Sequence, residues 1–381
     1  MPMLSCRTMS RLKSGAMCIH LARAPQFGSA LRALGIRSFW QSRCLLAGLL
    51  FLLVVEPPAE AQNDWTYRGR TVIISVGAPA GGGYDYAARL LARHLPRHLP
   101  GNPTVIVKNM PGAGGLLVAK YLQTTAARDG TEFGELEHGT AFAPLLTSAG
   151  VSFDPLALGW LGSMEQFTPI VAVWHTVPVY SFEDLLKIPI NVGTSGAGST
   201  TSGYPQSLNA ILGTKIKVIG GYPGTPAYNL AIERGELDGL ASWCWTCAKA
   251  QKPDWIAEKK LRVIMQLAEH ADPELEKMGV PTAFQKASTD IQRQMLGVVF
   301  RSVMMSRPFV APLGLPAERL AMLRAAFEAA VEDSALIGEA AKTGMKVEFI
   351  SPARIEDNLK ATFATDPALI EKVRNAYSGK Y

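Results

Sequence analysis

Apolar and polar positions along the chain follow two patterns, one typical of buried strands and the other of helices. In the stretch from Thr71 to Leu95, a β-branched run, Val72–Val76, passes through three consecutive glycines into apolar positions at helical spacing. This pattern predicts a strand, a tight loop and the start of a helix. Glycine lets the backbone approach a ligand, and the first N–H groups of a helix lack partners within it, so the junction suits a carboxylate or a phosphate. A plain strand-to-helix turn is the alternative interpretation.

Similar units recur further along the chain. Predicted strands over Thr104–Lys108, Ile190–Gly193 and Lys215–Ile219 each lead through a loop of small or polar residues into a helical pattern. Alternation of this kind predicts an α/β fold in which helices cover a mostly parallel sheet. Because ligands bind such sheets outside the carboxyl ends of the strands, we expect the two glycine-rich loops of the first half, after Val76 and after Lys108, to share one rim.

The last part of the chain has a more helical character. Helices are predicted over Gln292–Phe300, over Pro316–Glu332 and from Pro352 to about Thr365. A short strand is predicted over Lys346–Ile350. No tandem repeat divides the chain into equal units, so the fold is not a repeat array.

Composition and charge narrow the class of protein. The 381 residues are enough for two domains, and 48% hydrophobic with 18% charged residues is typical of a globular chain. The net charge of +6 is concentrated at one end, because residues 1–61 carry seven basic and two acidic side chains. The remaining chain has a net charge of +1, which argues against a nucleic-acid partner.

The first segment has the features of an export signal. Arg43 precedes an apolar run, Leu45–Val55, that is too short for a stable membrane-spanning helix, and a small-x-small pattern ends at Ala61. We predict cleavage near Ala61, a mature chain from about Gln62 and a periplasmic location. An uncleaved N-terminal anchor is the alternative. The unusually long run before the apolar core makes three later methionines candidate starts: Met3, Met9 and Met17.

The cysteines agree with export. Three of the five lie in the predicted leader, and Cys244 and Cys247 form a C-x-x-C pair after a predicted strand. An oxidising compartment favours a disulfide between them, whereas a thioredoxin-like role would require a helix start and a low thiol pKa. Trp243 and Trp245 beside the pair could wall an apolar or aromatic ligand pocket or could belong to the core.

Other chemistries find little support. Gly193–Gly198 has the glycine spacing of a phosphate loop, but Ser199 stands where such a loop needs lysine. The neutral hydroxyl and backbone N–H donors of this loop still suit a carboxylate. His94 and His98 are separated by Pro96, so we predict a solvent-facing helix end there and not a metal site. We predict no catalytic residue, cofactor or metal.

Taken in order, the motifs resemble those of the tripartite tricarboxylate transporter substrate-binding receptors, the Bug family of bacterial periplasmic solute-binding proteins. The matching segments are Ala78–Asp85, Asn109–Gly115, Gly193–Ser199, Gly221–Ala227 and Gly235–Asp238. The resemblance covers the chain from about Trp65 onward. It implies a two-lobed type II periplasmic binding protein, or Venus flytrap, with mixed, mostly parallel sheets and a ligand cleft between the lobes. The implied limits are residues 64–165 and 291–381 for lobe one and residues 166–290 for lobe two.

The resemblance also implies a function and a site. The function is capture of a small carboxylate by hinge closure and its delivery to membrane permease subunits, with no catalysis, and we expect a monomer. Lobe one is expected to contribute Ala80, Gly81, Gly82 and Asp85. Lobe two is expected to contribute Thr194, Gly196, Ser199, Thr200, Pro226, Ala227 and Asp238.

Departures from the family pattern bear on the ligand. Tyr84 stands where the family usually has threonine or a small polar residue, Met110 replaces an arginine, and the stretch from Asp129 to His138 is atypical. A bulky Tyr84 at the rim and Trp243 at the back favour an aromatic or larger carboxylate over a citrate-like one. Two other functions stay open: an envelope thiol-disulfide oxidoreductase that uses the C-x-x-C pair, and a receptor that presents its ligand to a sensor kinase.

Overall fold

The computed structural model describes residues 65–147 and 153–380. The predicted export signal, residues 1–61 with cleavage near Ala61, lies outside the described residues. None of the helices in the described ranges has the length and apolar character needed to cross a membrane.

Ten strands of the described chain form two five-stranded sheets. In chain order they are β1 (Thr71–Val76), β2 (Thr104–Asn109), β3 (Glu132–Glu135), β4 (Gly159–Ser163), β5 (Pro169–Trp174), β6 (Ile190–Gly193), β7 (Ile216–Ile219), β8 (Gly239–Cys244), β9 (Leu261–Gln266) and β10 (Pro308–Ala311). The first sheet has the order β2-β1-β3-β10-β4, and the second has the order β7-β6-β8-β5-β9. One strand of each sheet runs antiparallel to both of its neighbours: β10 in the first sheet and β5 in the second. The predicted α/β fold with mixed, mostly parallel sheets is confirmed.

Helices cover both sheets. Those in the described residues are α1 (Gly83–His94), α2 (Leu116–Thr124), α3 (Ala143–Leu146), α4 (Phe182–Leu185), α5 (Thr200–Leu212), α6 (Thr225–Glu233), α7 (Trp245–Gln251), α8 (Pro253–Ala257), α9 (Pro273–Lys277), α10 (Asp290–Val299), α11 (Ala317–Val331), α12 (Ser334–Ala341), α13 (Pro352–Phe363) and α14 (Pro367–Tyr377). Short 3-10 turns lie at Leu95–His98, Ala113–Gly115, Thr140–Phe142, Phe284–Lys286 and Phe300–Met305.

The first strand-to-helix unit follows directly from its sequence. Val72, Ile74 and Val76 are fully buried in β1, which pairs in parallel with both β2 and β3. The chain then turns at Gly81, whose φ of +80° favours glycine, and α1 begins after Gly82. The unit therefore places the first turn of α1 beside the carboxyl end of β1.

Helices α5 and α6 begin earlier than the sequence suggests. The sequence predicts helices from Tyr204 and from Tyr228, whereas α5 begins at Thr200 and α6 begins at Thr225. Pro226 lies in the first turn of α6, where its missing N–H group costs no hydrogen bond. The polar loops before α5 and α6 are therefore shorter than predicted. The N-termini of these two helices lie closer to the carboxyl ends of β6 and β7 than predicted.

The end of the chain differs from the prediction in two ways. Lys346–Ile350 is not a strand, because only Ile350 forms an isolated bridge, with Ser163. Helix α14 was not predicted, although Asp366 caps its start by accepting a hydrogen bond from Ala368 N.

Helix α14 packs far from its neighbours in sequence. It contacts α5 and α10, and the Tyr377 ring lies against the Gly203 backbone. A Cβ atom at position 203 would lie 1.9 Å from Tyr377 Cζ, so glycine is required for this contact. The lobe limits that the resemblance implies place residues 291–381, which include α14, in lobe one, whereas in the structure α14 contacts α5, a helix of predicted lobe two.

Candidate functional site

Loops from both sheets line a single cleft. They are the loop after β1, the segment after β3, the loops that precede α5 and α6, and the junction of β8 with α7. The lining residues are Ala78, Pro79, Gly82, Gly83, Tyr84, Glu137, His138, Phe167, Ser195, Thr200, Thr201, Pro223, Gly224, Thr225, Tyr228, Ser242, Trp243, Cys244, Cys247, Gln251 and Arg307. Loops of both sheets therefore line one cleft, as the resemblance implies, but the predicted glycine-rich loop Asn109–Gly115 is not part of its lining.

The two rims of the cleft touch at glycines. A Cβ atom on Gly224 would lie 2.6 Å from Pro79 Cγ, and one on Gly114 would lie 2.4 Å from Ser199 N. Side chains at either position would push the opposing loops apart. The glycine-rich loops therefore serve close approach between the rims as well as approach to a ligand.

Asp85 stabilises the first loop through its own hydrogen bonds. Its Oδ2 accepts a hydrogen bond from Gly81 N at 2.9 Å, and its Oδ1 accepts from Arg89 Nε at 3.0 Å and Asn109 Nδ2 at 2.9 Å. Burial opposes ionisation, but these donors together hold the pKa of Asp85 below its ordinary value. Both carboxylate oxygens are thus occupied within the protein, although the sequence placed Asp85 among the ligand contacts.

The hydroxyl-rich loop is similarly self-bonded. Thr194 Oγ1 lies 3.1 Å from Ser199 Oγ, which donates to Gly196 O at 2.7 Å and lies 2.7 Å from Thr201 Oγ1. These bonds fix the loop at the start of α5. Thr200 and Thr201 are the residues of this loop and helix start that, with Ser195, reach the cleft lining.

The structure brings some of the predicted residues together and leaves others outside the lining. Gly82, Tyr84, Thr200, Trp243, Cys244 and Cys247 line the cleft. Gly81 faces Pro226 across the rim, where a Cβ atom would lie 3.8 Å from Pro226 Cγ. The lining does not include Ala80, Asp85, Thr194, Gly196, Ser199, Pro226, Ala227 or Asp238. Asp238 instead accepts a hydrogen bond from Asn191 N at 2.7 Å and so joins β6 to the start of β8.

A buried arginine forms part of the cleft and was missed in the sequence. Arg307, 3% exposed, directly precedes β10, and its Nε donates to Glu165 Oε2 at 3.1 Å. Its guanidinium carbon lies 4.4 Å from the Tyr84 ring centroid and 5.0 Å from that of Phe167. This arrangement combines a buried ion pair with cation–π contacts on two rings. Gly83 leaves room for it, because a Cβ atom there would lie 2.6 Å from Arg307 Nη2.

Tyr84 belongs to a chain of hydrogen bonds behind the cleft. Its hydroxyl lies 2.7 Å from His138 Nδ1, and His138 Nε2 lies 3.2 Å from the Tyr204 hydroxyl. Burial, and secondarily Arg307, lowers the pKa of His138 to about 3, so the imidazole is neutral at pH 7. Burial also raises the pKa of Tyr84 above its ordinary value. The chain is therefore neutral and holds the Tyr84 ring in place.

Two polar groups at the cleft lack hydrogen-bond partners within residues 65–147 and 153–380. They are the Glu137 carboxyl and the buried Trp243 Nε1, whereas the Tyr228 hydroxyl interacts with Thr201 and Ser195. Burial raises the pKa of Glu137 to about 7, against the opposing effect of Arg307. Buried polar groups in proteins are normally hydrogen-bonded, so groups without partners at a cleft are candidates to bind a ligand or water. The sequence signalled Trp243 by name and Glu137 only as part of the atypical stretch from Asp129 to His138.

The cysteine pair borders the same cleft. The two sulfur atoms are bonded, with Cα atoms 5.1 Å apart, and Cys244 caps the start of α7. Arg307 Nη2 lies 3.0 Å from Cys247 Sγ. The disulfide thus packs against the buried cation. The described residues contain no group of three side chains suited to holding a metal ion.

His94 and His98, predicted at a solvent-facing helix end, are paired with acids. His94 is buried, with Nε2 2.7 Å from Glu339 Oε2, and His98 Nε2 lies 2.9 Å from Asp333 Oδ2. Both histidines thus join α1 and the turn after it to α12 and its N-cap.

No family model matches the chain. Two curated proteins are similar to it in sequence. A UPF0065 protein from the gbd 5' region of Cupriavidus necator is 26% identical over 213 residues, which are 49% of this chain and 62% of the relative. A UPF0065 protein from the TAR-I ttuE-ttuC' intergenic region of Agrobacterium vitis is 30% identical over 182 residues, which are 46% of this chain and 51% of the relative. The chain thus matches less than two thirds of the length of either relative.

Solved structures share the fold over most of the described chain. The periplasmic binding protein BugD aligns with a TM-score of 0.64 and 20% identity, covering 81% of this chain and 98% of BugD. An R. palustris protein with adipate aligns with a TM-score of 0.64 and 19% identity, covering 81% and 98% of the two chains. MatC from Rhodopseudomonas palustris, with bound malate, aligns with a TM-score of 0.63 and 19% identity, covering 80% and 99%. The predicted type II periplasmic binding protein fold is confirmed, and the chain is similar in sequence to two UPF0065 proteins and shares the fold of the periplasmic binding protein BugD.

Proposed function

We propose that this chain is a periplasmic solute-binding receptor, without catalysis, that captures a small carboxylate by hinge closure. We further propose that it delivers the solute to the membrane permease subunits of a tripartite tricarboxylate-type transporter. The observation that carries the proposal is the cleft itself, which loops of both sheets line and which contains a buried arginine and polar groups without partners. The bound adipate and malate of two structural neighbours agree with a carboxylate.

The chemistry of the cleft suits a carboxylate. The N-terminal turns of α1 and α5 lie at the lining through Gly83 and Thr200, and unpaired N–H groups at a helix start favour an anion. Arg307 adds a positive charge, and Trp243 Nε1 adds a donor without a partner in the described residues. A solute that touches both rims stabilises the closed arrangement, because the open arrangement offers it only one rim.

Four of the predicted site residues line the cleft and are proposed to contact the solute: Gly82, Tyr84, Thr200 and Trp243. The remaining predicted residues are proposed to hold the loops in the conformation that binds. Asp85 and Ser199 act in this way through the hydrogen bonds described above. The lobe limits, residues 64–165 with 291–381 and residues 166–290, are proposed for the moving parts.

A thermal-shift screen of the mature chain tests the proposal. The panel contains mono-, di- and tricarboxylates, aromatic acids and amino acids. A ligand that binds only the folded state raises the melting temperature, by mass action. We expect at least one carboxylate to raise it in a concentration-dependent way, and small-angle scattering to show a smaller radius of gyration with that ligand. No shift with any compound of the panel would contradict the proposed function.

A disulfide oxidoreductase is the rival function, and the structure favours the receptor. Cys244 is 3% exposed, and Cys247 packs against Arg307. A redox partner needs access to the sulfur that it attacks. Slow reaction of the folded protein with a dithiol reductant is therefore expected.

A further inference from the structure

We propose that the Glu137 carboxyl recognises a protonated nitrogen on the solute, so that the ligand is a carboxylate that also carries an amine. The inference rests on the proposed carboxylate-binding function and names the second functional group that the cleft selects. It follows from the position of Glu137, from the way the neighbouring acids are bonded and from the balance of charge in the cleft.

Glu137 lies two residues beyond the end of β3 and reaches the cleft lining. Its Cβ and Cγ lie against the start of α2, where a Cβ atom on Gly115 would be 3.6 Å from both. The stem of the side chain is therefore supported by the protein. Among the described residues no group donates a hydrogen bond to its carboxyl oxygens.

Neighbouring acids are bonded differently. Glu132 of β3 accepts hydrogen bonds from Ser75 Oγ at 2.8 Å and from Tyr121 at 3.0 Å. Glu165 accepts from Arg307 and from a threonine hydroxyl. Glu135 also has no hydrogen-bond partner for its carboxyl in the described residues, but it is fully buried away from the cleft lining, and burial raises its pKa well above the ordinary value. Glu137 is thus the acid of this region that faces the cleft with its acceptor capacity unused.

The charge balance favours a cationic group opposite Glu137. Arg307 already has Glu165 as an ion-pair partner, and His138 is neutral. Ionised Glu137 therefore leaves the cleft with an excess negative charge. A dicarboxylate adds like charge to this site, whereas an amine cancels it and supplies the missing donors. The carboxylate of the same solute would lie toward Arg307 and the helix N-termini.

Isothermal titration calorimetry of the mature chain at pH 8 tests the proposal. The probes are pairs that differ only by an amine: succinate with aspartate, glutarate with glutamate, butanoate with 4-aminobutanoate, and 3-phenylpropanoate with phenylalanine. We expect the amine-bearing member of at least one pair to bind at least tenfold more tightly than its partner. Glu137→Gln should reduce that ratio at least tenfold. Glu137→Asp, which keeps the charge, should retain part of it.

Glu371→Gln is the matched control, because Glu371 is exposed on α14, and it should leave the ratio unchanged. Circular dichroism and melting temperature identify a variant that has failed to fold, and Glu137→Asp then carries the comparison. If plain carboxylates bind the wild-type protein at least as tightly as their amine-bearing partners, or if Glu137→Gln preserves the preference, the inference is wrong and the receptor function stands. If neither member of any pair binds, this inference is wrong, and the thermal-shift panel alone decides the receptor function.

Discussion

The Arg307 guanidinium carbon lies 4.4 Å from the centroid of the Tyr84 ring, and the two residues join β10 to the start of α1. The sequence singled out Tyr84 as a departure from the family pattern but offered no partner for it. The contact gives the ring a function, since it covers one face of a buried cation whose other contacts are Phe167, Glu165 and the disulfide.

Tyr84→Phe should keep the ring and remove its hydroxyl. The variant loses the hydrogen bonds to His138, and we expect the free energy of unfolding to fall by about 1 kcal/mol. Tyr84→Thr should also widen the rim and shift ligand preference toward smaller or more branched acids. Urea unfolding and calorimetry with the carboxylate panel measure the two effects. Tyr180→Phe, at a 67% exposed tyrosine, is the control. Unchanged ligand preference in Tyr84→Thr would show that the ring does not select the solute.

Arg307→Ala should be strongly destabilising, because it leaves Glu165 buried without its counter-charge. We expect a loss of about 3–5 kcal/mol in the free energy of unfolding. The comparison is Arg70→Ala, which breaks a pair with Asp129 whose side chains are 47% and 49% exposed and should cost less than about 1 kcal/mol. Denaturant unfolding measures both. Similar losses in the two variants would mean that the buried pair contributes nothing specific.

Glu137 should make both stability and binding depend on pH near neutrality. Its folded pKa of about 7 lies above the value of about 4.3 in an unfolded chain, so the folded state binds more protons between these values. The stability from this group is present at low pH and is lost as the pH rises through 7. Glu137→Gln should therefore gain stability relative to the wild-type protein between pH 5 and pH 8, by at most about 1.4 kcal/mol per pH unit. Denaturant unfolding at several pH values measures the difference.

Binding should show the opposite trend for an amine-bearing solute. The ammonium group favours ionised Glu137, so affinity should rise between pH 6 and pH 8 and binding should release protons, whereas a plain dicarboxylate should take up protons. Calorimetry in two buffers of different ionisation enthalpy measures the number of protons. The charged or titratable groups that face Glu137 are Arg307, Tyr84, His138, Tyr228 and Tyr377, and none of the four uncharged ones titrates in this range.

Gly224→Ala should weaken binding without unfolding the protein. The added Cβ atom would lie 2.6 Å from Pro79 Cγ, so the rims must separate. We expect a Kd at least tenfold higher and little change in the free energy of unfolding. Gly220→Ala in the same loop is the matched control, because a Cβ atom there meets nothing within 4 Å. Equal affinities for the two variants would show that the rims need not touch for binding.

The disulfide should be structural. Replacing both Cys244 and Cys247 by serine opens a short loop, and the chain-entropy estimate for such a loop is about 2 kcal/mol. We also expect weaker solute binding, because Arg307 Nη2 loses its contact with Cys247 Sγ. Melting temperature and calorimetry measure these losses. Rapid thiol–disulfide exchange by the folded wild-type protein would instead support the oxidoreductase.

Local sequence patterns were enough for β1, β2, β6 and β7 and for the glycine-rich loops, because β-branched runs and glycines act within a few residues, but they wrongly predicted a strand over Lys346–Ile350. The Arg307–Glu165 pair joins residues 142 positions apart and follows no periodic pattern, so no local signal indicates it. The same holds for Glu137 and His138, which only the pairing of β3 with β1 brings toward the rim. Asp85 was expected at the ligand because its place in the motif was visible, while the donors that occupy it were not.

The contact of Tyr377 with Gly203 has a consequence for the order of folding. Gly203 lies one turn inside α5, whose first residue lines the cleft, and the Tyr204 and Tyr377 ring centroids are 6.5 Å apart. Contacts between such distant positions form slowly, because a long stretch of chain must be closed first. The cleft wall is therefore expected to mature late, after α14 has docked. A chain in which α14 is undocked lacks the contact that supports the start of α5, and we expect it to bind a solute more weakly than the fully folded protein.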